Sequence, residues 1–333
     1  MQASTISSWA LVIARALTAQ GIDSHALFRQ NGLDPATLKD SNARYPVSSM
    51  TRLWQAAVAA SGDPCFGLTA ADHWHPTSLH ALGYAWLASH TLREAFERAV
   101  RYGRLVSNAT QLALVERGEE AQLVFMRPHA DTVTADAASQ AALALIVHLT
   151  RASCGSDFHP RRVCLRQAKP ACAPRLRAFF HAPVEFQSRD DALVFATSAL
   201  PAPLATANAA LAQANDRVAV QYLARFDRQD VTARLRAHLL ESLPSGAVSE
   251  AAAAQSLRLS RRSLQRRLQD AGTSFTQLLE ATRRELALQY LKDSSVSVSE
   301  VAYLLGFSEV ANFTRAFRRW QGVAPREYRQ SLA

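Results

Sequence analysis

The chain has 333 residues, enough for two or three domains with a substantial core, and 48% of them are hydrophobic. It holds 34 Arg but 3 Lys against 28 Asp and Glu, a net charge of +9, which points to an acidic partner. No apolar run approaches the ~18 uncharged residues of a membrane span, and neither a secretory signal nor C-x-x-C spacing is present, so Cys65, Cys154, Cys164 and Cys172 read as reduced, buried thiols of a cytoplasmic protein.

Residues 3–61 read as helices. Trp9 to Gln20 keeps apolar spacing up to Gly21, Ser24 caps a short helix closing at Asn31-Gly32, Asp34-Pro35 opens another, and Ser48 to Ala60 runs to a Ser-Gly-Asp-Pro stop. Phe66 to Trp74 and Leu79 to Ala88 follow, with Thr91 capping Leu92 to Val106. Strand grammar begins at 111–116 and 121–126, two alternating runs around Arg117-Gly118-Glu119-Glu120 that predict a hairpin. An apolar helix over 134–153, short strands at 162–167, 184–186 and 193–195, and a helix over Pro174 to His181 make this part α+β. From Ser198 to Asp230 the composition turns rich in Pro, Ala, Asn and Gln, predicting a partly helical linker with a helix at 209–226.

The last third contains one helix pair written twice. Ala254, Arg258-Leu259-Ser260, Leu264, Arg266 and Leu268 are echoed by Ala302, Gly306-Phe307-Ser308, Phe313, Arg315 and Phe317, offset by 48 and then 49 residues. That order of small residue, turn, serine, large apolar, arginine, large apolar marks an internal duplication. Each copy has the grammar of a helix-turn-helix: a small residue where helices cross, a turn, a serine and a second helix with its apolar residues four apart. Between the copies Phe275 to Asp293, capped by Ser274, keeps helical spacing over roughly 28 Å, which suits a rod holding two helices about one DNA turn apart. Residues 231–333 hold 15 Arg and Lys against 9 Asp and Glu, and the other 230 residues hold 22 against 19. Positive charge is thus concentrated where the duplication lies, as a phosphate-binding surface requires. The competing reading of such a module is protein interaction; exposed Arg and Gln, which grip phosphates and read base edges, favour DNA.

Residues 231–333 resemble the DNA-binding domain of the AraC/XylS family of bacterial transcription regulators. The resemblance rests on 298–308 (VSEVAYLLGFS), 312–320 (NFTRAFRRW) and 322–329 (GVAPREYR), and on 260–268 (SRRSLQRRL) with Gly272 in the first copy. Arg258 departs from the pattern, standing where the family often has Gly. Leu82 to Phe96 is similar to the N-terminal effector domain of the arabinose-binding-like branch. The resemblance implies a multi-domain protein: an α+β effector-binding or dimerisation domain over 1–200, a linker over 201–230, and an all-α domain over 231–333 with two helix-turn-helix motifs joined by a linker helix. It implies operator DNA as partner, with RNA polymerase and a small-molecule effector beside it. A monomer already carries two readers, and a homodimer through the N-terminal domain is the alternative state.

Candidate DNA-contacting residues are Arg261, Arg262, Gln265 and Arg266 in the first copy and Glu309, Asn312, Arg315 and Arg319 in the second. For an effector pocket, an apolar chamber with a few polar anchors, the candidate walls are Tyr84, Trp86, Tyr102 and Phe125; such aromatics are more often plain core. Asp72-His73-Trp74-His75 with His80 invites a metal reading, but helix and turn are expected there and a full ligand set is not fixed, so they read as capping or surface residues and no metal is assigned. No Walker loop, G-x-S-x-G elbow or G-x-G-x-x-G is present, so no cofactor and no catalytic residue is assigned. The sequence reads as a DNA-binding regulator, activator by preference, gated by an effector; the alternatives are a regulator controlled by abundance or a partner, and an enzyme or sensor acting on a metabolite.

Overall fold

The computed structural model describes residues 3–127, 134–226, 231–246, 248–293 and 296–331; 227–230 of the expected linker lie outside them. The chain divides into two compact units, Met1–Asn215 and Asp216–Ala333.

The first unit runs β1 (Ser4–Ile6), α1 (Ser7–Ala19), α2 (Ser24–Gln30), β2 (Arg44–Pro46), α3 (Val47–Ser61), α4 (Phe66–Ala71), α5 (Ala81–Leu87), α6 (Leu92–Val106), β3 (Gln111–Arg117), β4 (Glu120–Met126), α7 (Asp136–Cys154), β5 (Arg162–Cys164), α8 (Ala173–Phe180), β6 (Val184–Glu185) and β7 (Asp191–Ala196). The main sheet has the order β3-β4-β7-β5-β6. All its pairs are antiparallel except β5 with β6, and Leu123 sits opposite Leu114 on one side and Leu193 on the other. Helix α6 packs against β3, and α7 against β7. Behind the sheet the rings of Trp86, Phe96, Phe195 and Phe158 follow one another at centroid distances of 5.4, 5.1 and 5.9 Å.

Several local expectations hold at the level of single caps. Thr91 accepts from the Glu94 N–H at 3.3 Å and starts α6, and Gly118 turns the hairpin at a φ of +58°. Others do not. The stretch 3–61 is not all helical: β1 and β2 form a two-stranded antiparallel ribbon, Ser4 opposite Pro46, with the Arg44 side chain donating to the Ser4 carbonyl at 2.9 Å. Three-residue strands carry too little alternation to announce themselves. Asp23, not Ser24, caps α2 by accepting from the Ala26 N–H at 3.0 Å. Residues 203–208, read as linker, are tied to the first unit through Leu204 N–H to the His90 carbonyl and Asn208 N–H to the Ala88 carbonyl.

The thiol expectation is corrected in the same unit. Cys65, before α4, and Cys172, before α8, form a disulfide across 107 residues, leaving Cys154 and Cys164 as the free cysteines. Nothing in their spacing distinguishes that pair from the others, because the fold and not the motif brings them together.

Helix α9 (Ala209–Phe226), a helix as its spacing predicts, crosses the division between the units. The second unit continues with α10 (Val231–Ser242), α11 (Glu250–Ser256), α12 (Arg261–Asp270), α13 (Phe275–Lys292), α14 (Val298–Leu304), α15 (Val310–Gln321) and α16 (Pro325–Gln330). It has two small cores. Leu235, Leu239, Ala253, Ala254, Leu257, Leu264 and Leu268 build the first. Leu286, Ala287, Leu291, Val301, Ala302, Leu305, Phe313 and Phe317 build the second. Leu279 of α13 packs against both, so the rod is shared.

Gly67 sits at a close crossing of α4 and α7: a Cβ there would lie 2.3 Å from the Ala137 carbonyl oxygen and 2.6 Å from Gln140 Cβ. Backbone on the far side cannot yield as a side chain does. Gly67→Ala is therefore expected to destabilise the first unit by about 2–3 kcal/mol, as overpacking of a tight core does, measured as a lower urea midpoint at unchanged slope; a midpoint within error of wild type would show that α4 and α7 part freely.

Candidate nucleic-acid interface and effector cavity

The two helix-turn-helix motifs share a serine cap on their first helix and differ at the start of their second. In the first, Ser249 caps α11 through the Ala252 N–H at 3.1 Å, and Ser260 caps α12 through the Ser263 N–H at 3.2 Å. In the second, Ser297 and Glu300 form a reciprocal capping box on α14. Helix α15 starts at Glu309 without a side-chain cap, so its first N–H groups are left for another acceptor. The turn between the helices passes through left-handed backbone in both copies: Arg258 at +58° and Gly306 at +69°. Gly306 is needed twice over, because a Cβ there would come within 2.8 Å of the Leu243 carbonyl. Arg258 holds the same conformation with a side chain, which costs about 1–2 kcal/mol relative to glycine.

Each turn is also held by an arginine from the preceding long helix, a feature the sequence reading did not single out. Arg234 of α10 donates to the Leu257 carbonyl at 2.7 Å. Arg283 of α13 donates to the Leu305 carbonyl at 2.9 Å and the Gly306 carbonyl at 3.0 Å, while its guanidinium lies 4.4 Å from the Phe307 ring centroid. Burial holds the Arg283 pKa below the ordinary guanidinium value. Residues 234 and 283 stand 49 positions apart, the offset of the duplication, which was the signal available in the sequence.

Leu264 and Leu268 of α12 point inward, and Arg261, Arg262, Gln265 and Arg266 are exposed on the other face, with Arg267 beside them. Glu250 of α11 receives both Gln265, at 3.2 Å, and Arg261, at 3.5 Å. On α15 Phe313, Ala316 and Phe317 are buried, Glu309 and Arg315 are exposed, and Asn312 is half-buried. Arg315 donates to the Asn312 side chain at 2.6 Å, which orients both. Arg319 is ion-paired to Glu280 of the rod, and the Trp320 indole also donates to Glu280 at 3.1 Å. First Trp320 and then Arg319 hold the Glu280 carboxyl below its ordinary pKa. Among the described residues Arg319 is thus the one candidate of the eight ion-paired to the rod.

In the first unit a cavity of about 140 Å³ lies among α1, α3, α5, α6, α7 and the hairpin. Trp9, Met50, Trp54, Leu82, Trp86, Leu112, Phe125 and Leu143 are among its walls, and Thr134, Ser139 and Asp191 are among its polar groups. Of the four aromatic candidates, Trp86 and Phe125 line it. Tyr84 is 37% exposed and off the lining, although its α5 neighbours Ala85 and Trp86 are buried, and Tyr102 is buried outside the lining with Arg101 over its ring. A one-residue error in helix phase suffices to confuse these positions. Asp191 was not legible as a wall, because Asp191 opens β7 and only the fold brings it beside the α7 residue Ser139.

The histidine cluster disperses. Asp72 meets His148 at 3.2 Å, His75 caps a 3-10 turn through Thr77, and His80 lies 3.3 Å from Asn42. Among the described residues no three His, Cys, Asp or Glu side chains converge as metal ligands, and no helix is long and apolar enough to cross a membrane.

Two conserved-family descriptions match the chain: "Arabinose-binding domain of AraC transcription regulator, N-term" over residues 21–204 and "Helix-turn-helix domain" over 253–331. The chain belongs to the AraC family of transcription regulators. The Ornithine utilization regulator of Pseudomonas aeruginosa is 31% identical over 93% of this chain and 92% of its own length. The regulator VqsM of the same organism is 35% identical over 46% of this chain and 48% of its own. The crystal structure of CdpR from Pseudomonas aeruginosa covers 96% of both chains with a TM-score of 0.51 at 22% identity, a likeness of fold. This AraC-family chain therefore joins an effector-binding domain to a helix-turn-helix DNA-binding domain.

Arg283→Met keeps the length of the side chain but leaves two carbonyls at a helix end without their donor. We expect a loss of about 2–4 kcal/mol in the second unit, since hydrogen bonds to a charged group contribute ~1.5–3 kcal/mol each and do not add fully. Thermal unfolding with specific DNA binding in parallel measures it; wild-type melting and affinity would show the clamp to be incidental.

Proposed function

We propose that this AraC-family regulator is a sequence-specific activator whose engagement of DNA and RNA polymerase is set by a small molecule held in the cavity of its first unit. The observation that carries the DNA reading is the pair of helix-turn-helix motifs on one rod: α13 spans about 27 Å, near the ~34 Å of one DNA turn, and each motif presents a polar face opposite its core. In this reading residues 1–200 bind the effector and can dimerise, 201–230 link, and 231–333 read the operator. Because the partner is chromosomal, the site of action is the cytoplasm.

Arg262, Gln265 and Arg266 are the base readers of the first helix, with Arg261 at its phosphate edge. Glu309, Asn312 and Arg315 take the matching places in the second. Arg319, engaged by Glu280, positions α15 and contacts phosphate at most. The kinship with the Ornithine utilization regulator favours a second reading of the effector, a basic amino acid, at the same cavity.

Footprinting on the strongest genomic site tests the proposal: two protected motifs one helical turn apart are expected. On that site Arg266→Ala should weaken specific binding by about 1–3 kcal/mol, or roughly 5–150-fold, and barely change binding to random DNA. Equal losses on both, with the salt slope lowered by about one, would make Arg266 a phosphate contact instead. Diffuse binding with no shared motif would sink sequence specificity itself.

A further inference from the structure

The cavity of the first unit has a chemistry of its own. At about 140 Å³ it is near the size of an engineered apolar cavity of ~150 Å³ that takes up benzene. Trp9, Met50, Trp54, Leu82, Phe125 and Leu143 give it apolar walls. Trp86, also on the lining, is fully buried, and its indole N–H has no hydrogen-bond partner among the described residues. The Thr134 hydroxyl, on the same lining, is likewise buried without one. A buried donor left unmade costs about 1–3 kcal/mol, which an acceptor on a ligand would recover.

The charged group on the lining is already engaged. Asp191 Oδ1 accepts from the Arg166 N–H at 2.8 Å, and Oδ2 accepts from Ser139 at 2.8 Å and from Arg127 at 3.3 Å. An ammonium entering here would compete with Arg127 for a carboxylate that is already satisfied. A carboxylate entering would face Asp191 at close range. A zwitterion with a charged side chain would bring three charges to a chamber that offers one, and unpaired buried charge is strongly disfavoured.

We infer that the cavity takes an uncharged, largely apolar molecule of about one ring, roughly six to ten non-hydrogen atoms, carrying an oxygen that accepts from the Trp86 indole N–H. The inference rests on reading the cavity as the effector site. It separates this chain from the basic-amino-acid reading that kinship favours: similar folds need not share a ligand when the walls decide it.

The test uses the full-length protein with three probes: acetophenone, α-methylstyrene as its near-isostere with CH₂ for the ketone oxygen, and ornithine. Tryptophan fluorescence titration and thermal shift read binding. Acetophenone is expected to bind about fivefold or more tighter than α-methylstyrene, the value of one buried hydrogen bond, and ornithine to leave both signals unchanged. Trp86→Phe, which keeps a ring and removes the N–H, should erase the preference while leaving α-methylstyrene binding in place. Equal binding of the two aromatic probes to the wild type would overturn the acceptor, and saturable binding of ornithine would overturn the uncharged class. Ala142→Leu, which fills the cavity from α7, separates the two levels of the claim. Ornithine binding abolished by Ala142→Leu would keep the cavity as the effector site and sink only the ligand class. Failure of all three probes, with Ala142→Leu regulating transcription as wild type does, would sink both.

Discussion

Two short helices of the DNA-binding unit, α11 and α14, end at turns anchored in the core by Leu257 and Leu305, and a helix end leaves carbonyls that something must satisfy. In each case an arginine from the long helix before the motif reaches the turn: Arg234 to Leu257, Arg283 to Leu305 and Gly306. Everything that follows in each motif depends on that junction. The turn fixes where Ser260 or Glu309 begins the next helix, and with it the direction in which the exposed side chains point. Residues this far apart in sequence hold a rigid angle because a charged, planar donor meets backbone oxygen, a bond stronger than a neutral one and less tolerant of displacement. The cost of burying the guanidinium is offset at Arg283 by its two carbonyls and the Phe307 face.

The duplication explains how much of this was legible. Apolar spacing located α9 at its observed bounds and α13 within a residue of them, because each keeps a stripe of apolar residues at helical spacing. Arg258 stood out from sequence as a misfit, and its positive φ shows why a glycine is at home there. The carbonyl clamps escaped notice because an arginine inside a helix reads as surface charge until a turn is folded over it. In the first unit the same limit acts more strongly. The ribbon of β1 and β2 offers three residues per strand, the disulfide joins cysteines 107 residues apart, and the cavity gathers walls from residue 5 to residue 191. Local pattern reports helices and caps; it cannot report which far segments share a chamber.

The two DNA-facing helices differ in how they hold their polar side chains. On α12 Arg262, Arg266 and Arg267 have no ion-pair partner among the described residues, and Glu250 gathers Arg261 and Gln265. On α15 Arg315 leans on Asn312 and Arg319 on Glu280. Free arginines pay rotamer entropy when they dock, and their contribution to binding is strongly screened by salt. Side chains already oriented by a neighbour lose less on docking and tolerate less change in what they meet. The two motifs are thus copies in fold and unlike in electrostatics, the first weighted toward charge and the second toward shape.

That asymmetry bears on how a ligand in the first unit can matter at all. An effector shifts an equilibrium only by its differential affinity for two states, so a molecule in the cavity acts only if the walls differ between them. The walls here are drawn from α1, α3, α5, α6, α7 and the hairpin, and the unpaired Trp86 N–H sits in α5 beside the Trp86–Phe96–Phe195 stack. A ligand that satisfies this N–H binds best to the arrangement that presents it. These tilted ring contacts run from Trp86 on the cavity wall to Phe195 of β7, whose residues pair with both β4 and β5 at the middle of the sheet. A single buried donor can in this way bias the packing of a whole unit, because a close-packed core has few alternative arrangements and no continuous range between them.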